Sequence, residues 1–457
     1  MQASVLHIEE KVRKGDFGFA GLADFRYRQG PSVDARILLE QPKLSLYCLD
    51  DERRQAVFVE LPPGTDVSQQ PFLFRTQYQG AERLLTVPYE TLHELAGSLT
   101  NRPRRLILMY SVGRAGGTLV SRALNRLDSV LSLDEPDVYN NAVMARPAGG
   151  ARDEEFARLL HSATLLLFKP LRPETDTLFI KFRSCSIEIG DLMYRAFPDA
   201  KVMFLYRNAE TWARSAGRSI QALVDSHDKE EAEEPDALAE LFSHLDPSHA
   251  SEPARLGSTR RMAEHSAKPM GVAKGSPVFP LLPPYIKRAV KARLTGRDKL
   301  TVLWLVIAQR LPGLRQRFCS PLEYLQPYIR SIPPMKLLTL LWLSPMHRYL
   351  AMHAQGIPML AVRYETLMEA PEAALRAVFE YCGLPADQAV VAAGAFSEDS
   401  QKDTPLSRDR VRAQKSNLPP ELLAQVREVL REYPPTQTPD CVVPGSLDLR
   451  RAGQAVG

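Results

Sequence analysis

Nowhere in these 457 residues is there an apolar run long enough to cross a bilayer. The strongest, TVLWLVIA (301–308) and LLTLLWL (337–343), fall far short of the roughly 20 residues a spanning helix needs. The opening stretch MQASVLHIEEKVRKGDFG puts charges where a signal peptide requires an apolar core. Five cysteines (Cys48, Cys185, Cys319, Cys382 and Cys441) are scattered, odd in number and without CxxC spacing. They argue against a disulfide framework or zinc site and fit reduced thiols in a cytoplasmic protein. Nine histidines occur without HExxH or similar spacing, so no metal is expected. A net charge of +4 is small for this length and forms no dominant basic stripe. Nucleic acid is therefore not an expected partner. Internal repeats are absent, and the sequence does not indicate an oligomeric state.

What is present is ample core material, with 44% hydrophobic and 25% charged residues, in a chain too long for one ordinary domain. Residues 1–100 hold short alternating segments (ARILLE, LSLYCLD, QAVFVELP) broken by QPK, DDERR and PPGTD, then a helix near YETLHELAGSL. They read as a β-rich accessory unit without a chemical constellation, a packing or oligomerisation appendage. From residue 101 the pattern changes to buried-type strands, RRLILMYS, TLFIKFRS, KVMFLYRN and PMLAVRYE, alternating with helices. That is an α/β core with a mainly parallel sheet, its first half over 101–219 and its second over 351–434. Residues 220–350 interrupt it as a helical and proline-rich insertion able to cap the ligand edge. Residues 435–457 read as a poorly ordered tail.

The stretch YSVGRAGGTLVSRAL (110–124) follows the first core strand as a glycine-rich turn into a helix. Amides at such a turn converge on one point, where the helix dipole adds positive potential. Gly113, Gly116 and Gly117 let an anion approach the backbone, Thr118 offers a hydroxyl, and Arg114 can fork onto phosphate or sulfate oxygens. A second element lies further on. KVMFLYRN ends in Arg207, and Ser215 follows eight residues later in the next helix, so both can donate to a further phosphate.

With these elements in view, the chain resembles the sulfotransferases that use 3′-phosphoadenosine 5′-phosphosulfate (PAPS). GRAGGTL is similar to their 5′-phosphosulfate loop in its bacterial and carbohydrate-type form, with Ala115 in place of the usual serine. FLYRNAETWARS resembles the 3′-phosphate element, with Ala209 in place of proline. DEPDVY (134–139) and VRYETL (362–367) are similar to two further family segments, and all four occur in family order. The resemblance implies a P-loop-like three-layer α/β sandwich and PAPS as cofactor. Gly113, Arg114, Ala115, Gly116, Gly117, Thr118, Leu119, Arg207 and Ser215 would bind it.

The implied reaction is sulfuryl transfer to a hydroxyl or amine of a small-molecule, carbohydrate or lipid acceptor. Arg114 and Thr118 would stabilise the transferring group, with Glu135 as the base, a structural residue or a substrate contact. Lys181 and Arg183 stand where several members carry a lysine and a histidine, which leaves the base open. The segment SQKDTPLSRDRVRAQKSN, with Lys402, Arg408, Arg410 and Arg412, is expected to fold back over the nucleotide. Leu303, Trp304, Leu305, Leu338, Leu341, Trp342 and Leu343 could line an apolar acceptor site or be helix core. Two other classes compete. A kinase would need the missing GK[ST] lysine and an acid where Arg207 stands; a non-catalytic binding relative would keep the fold without the base.

Overall fold

The structure, a computed structural model, describes residues 1–13, 18–147, 150–169, 173–227, 284–309, 324–325, 328–329, 331–414 and 418–449. The proline-rich stretch expected to be irregular, about 245–285, lies almost wholly outside the described residues.

Among the described residues, ten strands form two separate five-stranded sheets. The first comprises β1 (Gln2–Lys11), β2 (Phe25–Asp34), β3 (Leu44–Asp50), β4 (Gln55–Glu60) and β5 (Arg83–Pro88), in the order β2-β1-β5-β4-β3. All its pairings are antiparallel. The accessory unit read over residues 1–100 is thus a complete antiparallel sheet, followed by the helix Tyr89–Ser98.

The second sheet comprises β6 (Arg105–Ser111), β7 (Val130–Asp134), β8 (Thr177–Lys181), β9 (Lys201–Tyr206) and β10 (Met359–Arg363), in the order β10-β9-β6-β8-β7. Every pairing is parallel. RLILMYS, TLFIK and KVMFLY are apolar almost without interruption because both faces of such a sheet are covered. The fold is therefore α/β, with a parallel sheet and a distinct antiparallel unit.

Chain order fixes where a ligand can sit. From β6 the chain runs through the Gly117–Leu124 helix to the β7 edge and returns through β8, whereas β9 lies on the other side of β6 and leads to β10. Connections leaving the carboxyl ends of neighbouring β6 and β9 thus diverge. Such divergence opens the crevice in which open α/β sheets bind ligands.

Three features depart from the expectations. β7, VLSLD, was not anticipated as a strand, although all five of its residues are buried. Of the tail expected to be poorly ordered, Gly445–Leu447 are fastened to β10, and residues 450–457 lie outside the described residues. The Ala361 amide donates to the Gly445 carbonyl at 2.9 Å, and the Leu447 amide donates to the Ala361 carbonyl at 2.8 Å. Tyr206 and Ser446 hydroxyls meet at 2.7 Å, and Tyr349 Oη donates to the Pro444 carbonyl at 2.5 Å. A proline-rich sequence without periodicity is ordered here by the unpaired edge of a strand. The apolar residues of the insertion also divide. Leu305, Leu338, Trp342 and Leu343 are buried, Leu341 is half-buried, and Leu303 and Trp304 are exposed. The helix Pro334–Ala354 carries Leu338, Trp342 and Leu343 into the main core, where Tyr349 stacks on Phe204.

The antiparallel unit is joined to the parallel one by buried charge. Asp137 accepts from the Ala20 amide at 2.7 Å and pairs with Arg183 at 3.1 Å. Arg13 lies 3.9 Å from both Asp137 and Asp24. Arg183 is held between the rings of Phe19 and Phe74, at 4.8 and 4.5 Å. An uncompensated charge here would be costly, so each arginine carries a carboxylate.

Candidate functional site

Between β6 and the Gly117–Leu124 helix the backbone is left-handed at three positions: Gly113 (φ 71°), Arg114 (φ 48°) and Gly116 (φ 83°). The Gly116 carbonyl accepts from Leu119 and Val120, leaving the first-turn amides of Gly117 and Thr118 without a helical acceptor. On the other face, Trp212 Nε1 donates to the carbonyls of Val112 and Gly113, at 3.1 and 2.9 Å. Trp212 therefore occupies the carbonyl side of the turn. The sequence reading passed over it, although it stands inside the quoted WARS segment.

Two of the glycines also answer to their neighbours. A Cβ on Gly117 would lie 3.2 Å from Lys181 Cε, and one on Gly116 would lie 3.1 Å from the Tyr364 ring. Ala115 is buried, Thr118 nearly so, and Leu119 half-buried.

Arg114 and Arg207 meet at this crevice. Arg207 Nη1 donates to the Arg114 carbonyl at 3.3 Å, and its guanidinium stacks 4.1 Å above the Tyr364 ring. Arg114 Nη1 donates to Gln401 Oε1 at 2.9 Å, while its buried Nε has no acceptor. Neither makes an ion pair with a carboxylate among the described residues. Burial first, then repulsion from Arg207, pulls the Arg114 guanidinium down to about 10. Arg207 is lowered as well, mainly by burial. Arg218 adds positive potential at both. It follows Ser215 on one face of the helix Ala209–His227, and sequence reasoning missed it. Ser215 is buried on that helix.

Asn208 and Glu365 shape the turn that carries Arg207. Asn208 Oδ1 accepts from the amides of Glu210 and Thr211, at 3.0 and 3.2 Å, capping the helix. Glu365 Oε1 accepts from the Asn208 amide at 3.2 Å and from Thr211 Oγ1 at 3.3 Å. VRYETL thus supplies both the ring beneath Arg207 and the acceptor that fixes its turn.

Glu135 lies just past β7, at φ 59°, a region that non-glycine residues rarely occupy. Its amide donates to the Lys181 carbonyl at 2.7 Å, and its Oε1 accepts from Lys181 Nζ at 2.6 Å. Lys181 is 3.7 Å from Asp134 as well. Burial opposes the ammonium charge, but the Glu135 and Asp134 carboxylates outweigh it and hold its pKa above the usual value. Asp134 accepts from Ser121 Oγ, which also meets Ser132 Oγ at 2.7 Å. Burial raises the Asp134 carboxyl to about 6, against the pull of Lys181 and Ser121. Arg114 lies within Coulombic reach of Lys181, so the loop and the carboxylates form one electrostatic site. Arg183 is engaged with Asp137 at the unit interface.

The segment expected to fold back does reach the loop, through Gln401. Arg408 instead donates to carbonyls of Phe396, Ser397 and Glu398, Lys402, Arg410 and Arg412 are exposed, and residues 415–417 lie outside the described residues. A polar groove of about 470 Å³ opens between this segment and the Gln69–Gln79 stretch of the antiparallel unit. Phe72 lines it, with Lys181 Nζ 6.0 Å from the ring centre.

The arrangement can hold an anion between loop amides and two arginines, beside a lysine–carboxylate pair. No protein-family model, curated protein or solved structure matches the chain.

Proposed function

We propose that the protein transfers a sulfuryl group from PAPS to a hydroxyl or amine acceptor, on a P-loop-like three-layer sandwich. The observation that carries this reading is the meeting of Arg114 and Arg207 at the crevice between β6 and β9, with an ion pair to a carboxylate for neither among the described residues. Two half-buried, mutually repelling cations are costly unless an anion joins them. A structural role would supply that anion from the protein, as the Arg183–Asp137 pair does. The orphaned Arg114 Nε and the open space around Gly113 fit a ligand bearing more than one anionic group.

In this assignment the Gly113–Leu119 loop holds the phosphosulfate, and Arg207 and Ser215 hold the 3′-phosphate. PAPS supplies an activated sulfuryl group on a phosphate leaving group. The protein's own work is positioning and charge stabilisation. Arg114, Thr118 and the Gly117 amide face the charge that grows on the leaving side. Glu135 takes the acceptor's proton, with Lys181 holding the carboxylate in place.

One observation favours the non-catalytic alternative. Glu135 Oε1 is already occupied by Lys181, so the pair could be structural, leaving a nucleotide-binding protein without turnover. Two measurements distinguish the readings. Calorimetry with 3′-phosphoadenosine 5′-phosphate against ADP tests the site, with preference for the former expected. Label transfer from radioactive PAPS to a panel of sugars, phenols and lipids tests turnover. Equal affinity for both nucleotides overturns the assignment; nucleotide preference without transfer leaves the binding protein.

A further inference from the structure

Asp134 and Glu135 are consecutive, yet both carboxylates reach the one ammonium of Lys181. Along a strand, successive side chains point to opposite faces, so neighbours of this kind do not ordinarily share a partner. Two features bring them together here. Asp134 closes β7 directly opposite Lys181 at the end of β8, in the parallel register of those strands. Glu135 then takes a left-handed φ of 59°, and its amide donates to the Lys181 carbonyl at 2.7 Å. One cation thus lies 2.6 Å from Glu135 Oε1 and 3.7 Å from Asp134 Oδ2.

The first of those distances is a hydrogen bond and the second is not. Lys181 and Asp134 are 7% and 5% exposed, and Glu135, at 16%, is the most open of the three. With both carboxylates ionised the trio carries an excess negative charge in a buried place, which favours holding one proton. Burial raises Asp134 to about 6, so that proton sits there in mild acid and leaves as pH rises. Ser121 Oγ donates to Asp134 Oδ1, which leaves Oδ2 to face Lys181. The other groups around the trio are engaged or neutral. Arg122 attracts Asp134 but bonds to Gln69, Arg114 repels Lys181 from the loop, and Arg183 pairs with Asp137. Cys185, whose thiol burial pushes up to about 12, faces Glu135 uncharged, and the Phe72 ring lies 6.0 Å from Lys181 Nζ.

We infer that Asp134 is a positioning residue that competes with Glu135 for Lys181: ionised, it draws the ammonium away and frees Glu135 Oε1 for the acceptor's proton. Lysine carries a compact charge on a flexible stem, so rotation about its last bonds suffices. The acceptor O–H bond breaks, its electron pair stays on the acceptor oxygen, and the new O–H bond forms on Glu135. Neutral Glu135 no longer holds Lys181, and Asp134 compensates the buried ammonium until the proton leaves for solvent. This inference rests on the reading of Glu135 as the base.

Two readouts on the full chain separate the inference from that reading. Magnetic resonance on isotope-labelled lysine and glutamate, assigned with Lys181→Arg and Glu135→Gln, follows the pair directly. Both signals should move with a midpoint near pH 6, and the movement should vanish in Asp134→Asn. On turnover, kcat with an alcohol acceptor should rise through the same pH in the parent. Asp134→Asn should remove that limb and lower kcat about tenfold in neutral buffer, part of the roughly 10²–10⁴-fold that a general base supplies. KM should change little, and in a Glu135→Gln background Asp134→Asn should add no further loss. Signals that stay fixed through pH 6 in the parent overturn the inference, whether or not the protein turns over. So does an equal loss from Asp134→Asn with and without Glu135, the mark of a merely structural role. Moving signals without transfer to any acceptor would support the exchange of Lys181 and refute the base.

Discussion

Arg207 donates to the backbone carbonyl of Arg114 across 3.3 Å, so the end of β9 is tied directly to the turn that follows β6. Two arginines distant in sequence thereby present their remaining donors to one crevice. Neither forms an ion pair with an acid among the described residues, so removing either strands no carboxylate there.

For Arg207→Ala, affinity for 3′-phosphoadenosine 5′-phosphate should fall about 10- to 100-fold, the loss of a charged hydrogen bond of roughly 1.5–3 kcal/mol. Affinity for ADP, which lacks the 3′-phosphate, should change much less. Calorimetry on both nucleotides checks this. An equal loss for the two would place Arg207 on a group they share.

Arg114→Ala and Glu135→Gln should differ in how they depend on the acceptor. The first should slow turnover with every acceptor, since it touches charge that develops on the leaving side. The second should matter little for acidic phenols that ionise unaided and far more for alcohols. A common factor for all acceptors in Glu135→Gln would show that the carboxylate positions and does not accept the proton.

Gly113→Ala and Gly116→Ala separate backbone strain from steric conflict. Both residues have positive φ, but a Cβ on Gly113 meets nothing within 4 Å, whereas one on Gly116 meets Tyr364 at 3.1 Å and Leu367 at 3.3 Å. Gly113→Ala should cost about 1–2 kcal/mol in unfolding free energy. Gly116→Ala should cost more and weaken nucleotide binding too, because it displaces the ring on which Arg207 stacks. Urea unfolding and calorimetry on the pair measure both effects.

Asp134 makes stability depend on pH. Its carboxyl is raised by burial from an ordinary 3.8 to about 6. Since the folded value is the higher one, folding favours the protonated form. That contribution is fully present below about pH 4 and is lost as pH rises through 6. Relative to Asp134→Asn, the parent protein should lose on the order of 2 kcal/mol between pH 4 and 7. Urea midpoints across that range give the difference, and a constant gap would mean that Asp134 titrates as an ordinary carboxylate.

The parts of this architecture visible in sequence are those with a local cause. RLILMYS and KVMFLY are unbroken apolar runs, and GRAGGT holds its turn by its own glycines. VLSLD escaped because its serine and aspartate look like loop residues. Their burial is compensated by distant partners, Ser121 on a helix that precedes them and, for Asp134, Lys181 as well. The Lys181–Glu135 bond joins residues 46 apart, and Gln401 reaches Arg114 from 287 positions away. No periodicity announces such partners. Arg218 was hidden differently, since only the packing of its helix shows which face looks into the crevice.

The sheet order has a consequence for synthesis. β9 ends at Tyr206, but β10, which pairs with it, starts only at Met359. At roughly 5–20 residues per second, the ribosome needs about 8–30 s to make the intervening chain. Throughout that interval the outer edge of β9 has no native partner, while β6, on its other side, has been available from the start. A nascent chain of this topology therefore carries an open strand edge, the kind of surface on which chaperones act and misassembly begins. The closing residues Gly445–Leu447, made later still, then cover the edge of β10.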